Sequence, residues 1–487
     1  MGTTRGWVRR GFTVAVIAAL VAGCTSAGAG QPNPAPAGPE QVGPLARFYR
    51  QVLKWELCEQ FLCARLTVPI DYAHPDGGTF SLPLKKAPAT KPDQRIGTVV
   101  AGAGGPGQSG VAMVEDIGEN WPAPVRERFD VVSFDPRGVG GSEPKLRCDT
   151  QGEPTGPVPA NLPLIGPAVP RQRQFAEACL AQTGENVVRH LGSADVVSDL
   201  DVLRAVTGQE KLTYVGFSYG TRVGQLYADR FPNKIRAMVL DGVDNLYLDW
   251  REDPVQQAEG ADLALHAYAK ECAARTGKPC PGKNEGEILA TVDRVLAGPD
   301  GDSLRSVIGT KVPFPAEWPA LSEELIAAES GTAADDSGED SDDEEDPEKS
   351  DDTVLAVVNC LDRPHPTDLA AYEETARRLR AVSPVNDGSE LASCAFLPTS
   401  TVRPKTVRAE GAPPVLLVGT TVDAATPYRW AEALSESMPS AVLLTNDDVG
   451  HAVYGGTSPC VDADVDRYLI DLIPPPAPAR CTTGSGG

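Results

Sequence analysis

The chain has 487 residues, 41% of them hydrophobic, and a formal net charge of −23. That length exceeds one simple domain and suffices for a large core with a second, inserted one, and the apolar fraction is that of a packed globular protein. The acidity argues against nucleic-acid binding, and no stretch after the N-terminus is long and apolar enough to span a bilayer.

Residues 1–23 read as a signal peptide, with Arg5, Arg9 and Arg10 before an apolar run that ends in small residues. The run closes on "VAGC", which resembles a bacterial lipobox and implies cleavage before Cys24 and a diacylglycerol on it. An ordinary signal with an incidental cysteine is the other reading. Arg9-Arg10 followed by Phe12 also resembles a twin-arginine signal, so both export routes stay open. Residues 24–45 form a Pro/Gly/Ala tether without hydrophobic periodicity.

From residue 46 to about 250 the composition is that of a globular core. "LCARLTVPIDY" and "GTFSLPLKKAPA" read as early antiparallel strands. "GTVVAGAGG" is a strand that runs into the glycine loop "AGAGGPGQSG", Ala101 to Gly110. Such a loop presents backbone N–H groups to an anion. Gly102, Gly104 and Gly107 satisfy the dinucleotide pattern G-x-G-x-x-G, and "FDVVSFD" follows as a strand ending in Asp135. The alternative is an oxyanion site. "SADVVSDLDVLRAVTG" predicts a helix with Ser193 as N-cap and Gly208 as its stop. Strand "KLTYVG", helix "YGTRVGQLYADRF" and strand "IRAMVLDGV" follow. This alternation means a mostly parallel sheet with helices on both faces.

"YVGFSYGTR" contains Gly216, Ser218 and Gly220 in G-x-S-x-G. A strand pattern precedes it and a helix pattern follows, which is the context of a nucleophile elbow rather than of an ordinary strand–helix turn. The glycine loop upstream then supplies the second half of an oxyanion hole. Its donors are expected to be the N–H groups of Tyr219 and Gly105, with Gly104 as the alternative, and Asp135 becomes part of a structural turn.

The alternation breaks after Trp250, and residues 251–400 read as a mainly helical inserted cap. About half of the net charge lies in Asp335–Asp352. Residues 330–353 are expected to be a disordered, solvated acidic loop, without the ligand spacing of a calcium loop. Sheet-like alternation resumes over 401–487 with "PPVLLVGTTVD", a helix after Thr426-Pro427, and "SAVLLT". His451 follows that last strand. Of the five histidines it alone lies in the C-terminal core, in the expected chain order after the serine. Asp423, at a strand end, is the expected acid, with Thr426 capping the next helix; Asp447, Asp448 and Asp241 are its rivals.

Apart from Cys24, ten cysteines remain, an even number in an exported protein, so disulfides are expected between sequence neighbours. The pairs are Cys58/Cys63, Cys148/Cys179, Cys272/Cys280, Cys360/Cys394 and Cys460/Cys481. No C-x-x-C or histidine cluster points to zinc, and the chemistry needs no cofactor.

"GGPGQSG", "FDPRGVGGS", "SDLDVLRAVTG", "GFSYGTRVGQLYADRFP", "MVLDGV", "GTTVDAATP" and "GHAVY" together resemble the secreted tripeptidyl aminopeptidase and proline iminopeptidase branch of the α/β-hydrolases. The similarity runs from about Trp55 to Cys481. It implies an α/β-hydrolase fold and removal of short peptides from free N-termini; with the lipobox, the expectation is a lipid-anchored serine hydrolase on the outer face of the cell membrane. Some relatives are carboxylesterases, so small esters are the alternative substrates; an inert binding lipoprotein is the alternative of a different class. An aminopeptidase must pair a free α-ammonium with a carboxylate. Asp362, beside Cys360, is one candidate, and a surface Asp capping a turn is its other reading.

Overall fold

In the computed structural model, residues 43–331, 352–400 and 406–482 are described. The signal peptide, Cys24, nearly all of the tether and the acidic run over 332–351 lie outside them. Ten strands form one sheet: β1 (Glu56–Cys58), β2 (Phe61–Pro69), β3 (Thr79–Ala87), β4 (Gly97–Gly102), β5 (Phe129–Phe134), β6 (Leu212–Phe217), β7 (Ile235–Asp241), β8 (Val415–Val422), β9 (Ala441–Val449) and β10 (Ala479–Thr482). Their order is β1-β2-β3-β5-β4-β6-β7-β8-β9-β10. The first three strands pair antiparallel, and β3 meets β5 antiparallel. All pairings from β5 to β10 are parallel.

The central parallel strands β4, β6 and β7 are buried along nearly their whole length because both of their faces are covered. Successive side chains point to opposite faces. Thus Val100, Val132, Tyr214, Met238 and Leu417 enter one core. Their neighbours Val99, Val131, Val215, Val239 and Leu416 enter the other. The first core is closed by the helices Ser193–Val206 and Tyr219–Arg230 through Leu200, Leu203, Val223 and Tyr227. The second is closed by Gly110–Asn120 and Pro459–Asp471 through Val114, Ile117, Val465 and Leu469. This is the expected α/β class, a mostly parallel sheet between helical layers.

Between β7 and β8 every regular element among the described residues is helical, from Glu252–Ala274 to the short turn Glu390–Phe396. Leu265, Tyr268, Ile288, Val292, Trp318 and Leu321 give this insertion an apolar cluster of its own. All five expected disulfides are present. No helix among the described residues is long and apolar enough to cross a membrane. Two cap expectations are corrected. Ser193 is the first helical residue, with Gly192 as N-cap. The helix after β8 starts at Tyr428 with Pro427 as N-cap, which frees the Thr426 hydroxyl for another partner.

Strand order reverses at β4, which lies between β5 and β6. In such sheets the crevice opens outside the carboxyl ends of the strands at that reversal. The chain leaves β4 as the glycine loop and leaves β6 at Ser218, with Gly102 opposite Gly216. Topology alone therefore brings the two loops together.

Candidate active site

Ser218 has φ 51 and ψ −118, a backbone conformation that a side-chain-bearing residue adopts only under constraint. The constraint is visible on both sides. The Ser218 N–H donates to the Asp241 carbonyl at 2.9 Å, and the Ser218 carbonyl accepts from the Thr221 N–H at 2.8 Å and the Thr221 hydroxyl at 2.6 Å. The flanking glycines are steric requirements. A Cβ on Gly216 would lie 2.6 Å from the Gly220 carbonyl oxygen, and one on Gly220 would lie 2.3 Å from that of Gly102. The helix Tyr219–Arg230 starts at once, so the Tyr219 N–H is one of the donors a helix leaves open at its N-terminus.

Asp423 follows the end of β8 and is 3% exposed. One of its oxygens accepts from the N–H groups of Ala425 and Thr426, both at 2.8 Å, and the other from the Thr426 hydroxyl at 2.9 Å. Both oxygens lie 2.9 Å from His451 Nδ1. A ring nitrogen facing a carboxylate carries the proton, which leaves Nε2 as the basic lone pair. Burial pulls the His451 pKa down, but the charge of Asp423 and its hydrogen bond outweigh this and raise it overall. Gly242, at φ 69, is required here because a Cβ on it would lie 2.9 Å from His451 Cε1. The serine backbone is thus bonded to Asp241, and the imidazole lies against the next residue, Gly242.

The rival acids have other partners. Asp447 pairs with Arg480 at 2.8 Å, and Asp448 accepts from the Val449 N–H at 2.8 Å. Asp241 accepts from the Tyr454 N–H at 2.7 Å, so it holds the loop that carries His451. Burial, partly offset by that bond, pushes its carboxyl up to about 7.

In the glycine loop, the Gly104 N–H donates to Gln108 Oε1 at 3.1 Å. The N–H groups of Gly105 and Tyr219 make no hydrogen bond among the described residues. A Cβ on Gly104 would sit 3.5 Å from that of Ser218, so the loop lies against the serine. Asp135 accepts from the Ser109 hydroxyl, the Val111 N–H and the Gly141 N–H at 2.6, 3.0 and 2.9 Å. It therefore ties the loop to the turn after β5.

Asp362 is neither a surface turn cap nor a free carboxylate. Its side chain is 7% exposed and is held by Ser193 and Arg222. Sequence reasoning missed both partners; an arginine among the buried positions of the "YGTRVG" helix was the available signal. It also missed Phe314, on a cap loop, which is 45% exposed with its ring centre 6.5 Å from that of His451. A cavity of about 620 Å³ lies between the cap and the Ala424-Ala425 turn beside Asp423. Carboxylates from Asp253, Asp302, Asp352, Asp387 and Glu390 line it, together with the guanidinium groups of Arg171, Arg305 and Arg363. Among the described residues, one set of side chains has metal-ligand spacing, Cys460, Asp464 and Cys481, and its cysteines are joined to each other as a disulfide.

Residues 384–481 match the family described as TAP-like protein. The chain is 34% identical over 459 residues to Serine protease Hip1 of Mycobacterium tuberculosis, covering 86% of this chain and 87% of that one. It is 30% identical over 450 residues to Tripeptidyl aminopeptidase of Streptomyces lividans, covering 85% and 82%. It is 31% identical over 473 residues to Carboxylesterase B of Mycobacterium tuberculosis, covering 88% and 89%.

Proposed function

The chain belongs to the aminopeptidase-like branch of the α/β-hydrolases and is a serine hydrolase, and from that premise we propose that it cleaves peptide bonds near free N-termini through an acyl-enzyme on Ser218. The observation that carries the assignment is the pairing of His451 Nδ1 with both Asp423 oxygens, beside a serine held in a strained elbow. Ser218 Oγ attacks the scissile carbonyl while His451 Nε2 takes its proton. Asp423 holds the ring and stabilises the imidazolium. The N–H groups of Tyr219 and Gly105 receive the oxyanion. His451 then protonates the leaving amine, and water repeats the sequence to release the acyl group.

A peptide with a free N-terminus brings a charge that is costly to desolvate without a partner. The cavity beside Asp423, where five carboxylates outnumber three arginines, supports such a substrate. The relative named as a carboxylesterase favours a second reading, since an ester needs the same triad and no ammonium site. The test compares a tripeptidyl chromophore bearing a free N-terminus with its N-acetylated twin and with a p-nitrophenyl ester. Acetylation is expected to nearly abolish cleavage. Equal cleavage of both peptides, or activity on the ester alone, would discard the exopeptidase and leave the hydrolase.

The protein is further proposed to act outside the cytoplasm, anchored through a lipid on Cys24. The lipobox-like "VAGC" and the five disulfides, which persist in oxidising compartments, support this. Mass spectrometry is expected to find a mature chain starting at a lipidated Cys24, and Cys24→Ala to release the protein from the membrane fraction. Any other mature start would reject the anchor.

A further inference from the structure

The backbone N–H of Tyr219 faces the reaction, but its side chain turns inward and the residue is 6% exposed. Its hydroxyl lies 2.9 Å from Ser193 Oγ, which lies 2.5 Å from Asp362 Oδ2. A serine hydroxyl has one proton, and a carboxylate can only accept. Ser193 therefore donates to Asp362, and Tyr219 donates to Ser193. Asp362 Oδ1 accepts the Ser193 N–H at 2.8 Å as well.

The same carboxylate holds the nucleophile helix a second time. Arg222 Nη1 donates to Asp362 Oδ2 at 2.7 Å and Arg222 Nε to Asp244 at 2.5 Å. The guanidinium carbon lies 5.3 Å from the centre of the Tyr219 ring. Asp362 ends the inserted helix Asp352–Asp362, and the Cys360–Cys394 disulfide fixes that end. Ser193, Tyr219 and Arg222 belong to the core, yet the carboxylate that terminates their chain of hydrogen bonds comes from the cap.

We propose that Asp362 is a positioning residue: through Ser193 and Arg222 it sets the orientation of Tyr219, and so keeps the N–H after the nucleophile aligned with Ser218. The inserted cap then holds one half of the oxyanion site in place as well as covering it. This rests on Ser218 as nucleophile and the Tyr219 N–H as oxyanion donor. A misplacement of about 1 Å at such a site costs as much as about 100-fold in rate.

The test reads the rate at which a fluorophosphonate labels the full-length protein, which does not depend on the substrate class, together with kcat and KM. Labelling that survives Ser218→Ala would overturn the nucleophile assignment and this proposal with it. If that control holds, Asp362→Asn, Ser193→Ala and Tyr219→Phe should each slow labelling about 10- to 100-fold. kcat should fall while KM stays within about twofold. Ser193→Thr, which keeps the hydroxyl, should restore most of the rate. Ser193→Ala combined with Tyr219→Phe should be no slower than the worse single variant, because both break one chain. Ser193→Ala and Tyr219→Phe leave the Arg222–Asp362 pair intact, so they decide the matter even if Asp362→Asn does not fold. Additive losses in the double variant, or lower melting temperatures with the folded protein labelling at the parental rate, would overturn the proposal.

Discussion

His451 can accept a proton only while its ring is neutral. Asp423 raises the ring's pKa against the effect of burial, so the acid limb of kcat/KM should lie above the ~6.5 of free imidazole. Asp423→Asn removes the charge that lifts it. The limb should move to lower pH and kcat should fall roughly 10⁴-fold, against roughly 10⁶-fold for Ser218→Ala or His451→Ala. A pH–rate profile checks both; near-normal turnover in Asp423→Asn, with loss in Asp241→Asn, would move the acid to Asp241. That residue has its own pH signature. Its carboxyl ionises near about 7 in the folded chain but near ~3.9 when unfolded. The folded state therefore holds the proton more tightly, and the contribution is full at low pH and lost as pH rises through that interval. Asn at 241 still accepts from the Tyr454 N–H, so the melting temperature of Asp241→Asn should fall less than the parent's between about pH 4 and about pH 8. The residues named from sequence for this site each stand at a strand end or on a glycine turn, which is why pattern alone could single them out. Thr426 was misread because a threonine before proline looks like a helix cap. Its hydroxyl instead turns back onto Asp423, and only the folded turn shows that.

At the scale of elements, the elbow works because β6, the nucleophile helix and the end of β4 approach without side chains between them. Gly220→Ala would drive a Cβ to 2.3 Å from the Gly102 carbonyl oxygen, a backbone atom that cannot swing away. The expected cost is about 1–3 kcal/mol of stability in urea unfolding, together with loss of fluorophosphonate labelling, since Gly102 leads into the oxyanion loop. Wild-type labelling in a folded Gly220→Ala would show that the close approach is dispensable. The cap loop that carries Phe314 makes a different kind of contribution. An apolar ring left 45% exposed beside His451 is free to meet substrate. Phe314→Ala should raise KM up to about tenfold with kcat little changed, and an unchanged KM would place the ring outside the binding site. Strands and helices with a clean period were legible in the sequence. The edge strand β10 was not, because four residues after a proline run carry no period to read. Asp362 was legible as a carboxylate near a disulfide, but its partners come from two other segments, and no local pattern encodes that.

Across the whole molecule, one buried arginine joins three parts of the chain. Arg137, in the turn after β5, donates all five of its N–H bonds. Nε and Nη2 meet both oxygens of Asp199, on the helix Ser193–Val206, at 2.6 and 2.7 Å. The rest go to the carbonyls of Pro69, Ile70 and His190. Asp199→Asn leaves that charge buried without its counter-ion, and about 3–5 kcal/mol of stability should be lost; a chemical-denaturation midpoint that does not move would contradict this. Strand and helix alternation was enough to foresee the layered architecture, whereas the order of the strands was not legible, because neighbours in the sheet are set by tertiary packing. One such neighbour pair has a consequence in time. β7 ends at Asp241 and its partner β8 begins at Val415, beyond the entire insertion. A chain delivered from the ribosome N-terminus first presents Ser218 well before Asp423 and His451 exist to activate it. Until the last strands dock, it is a hydrolase with a nucleophile and no base, harmless to itself and to whatever handles it. During refolding, probe reactivity should therefore appear with the slowest phase, after the core strands have formed, and a chain ending at residue 400 should take up no probe at all.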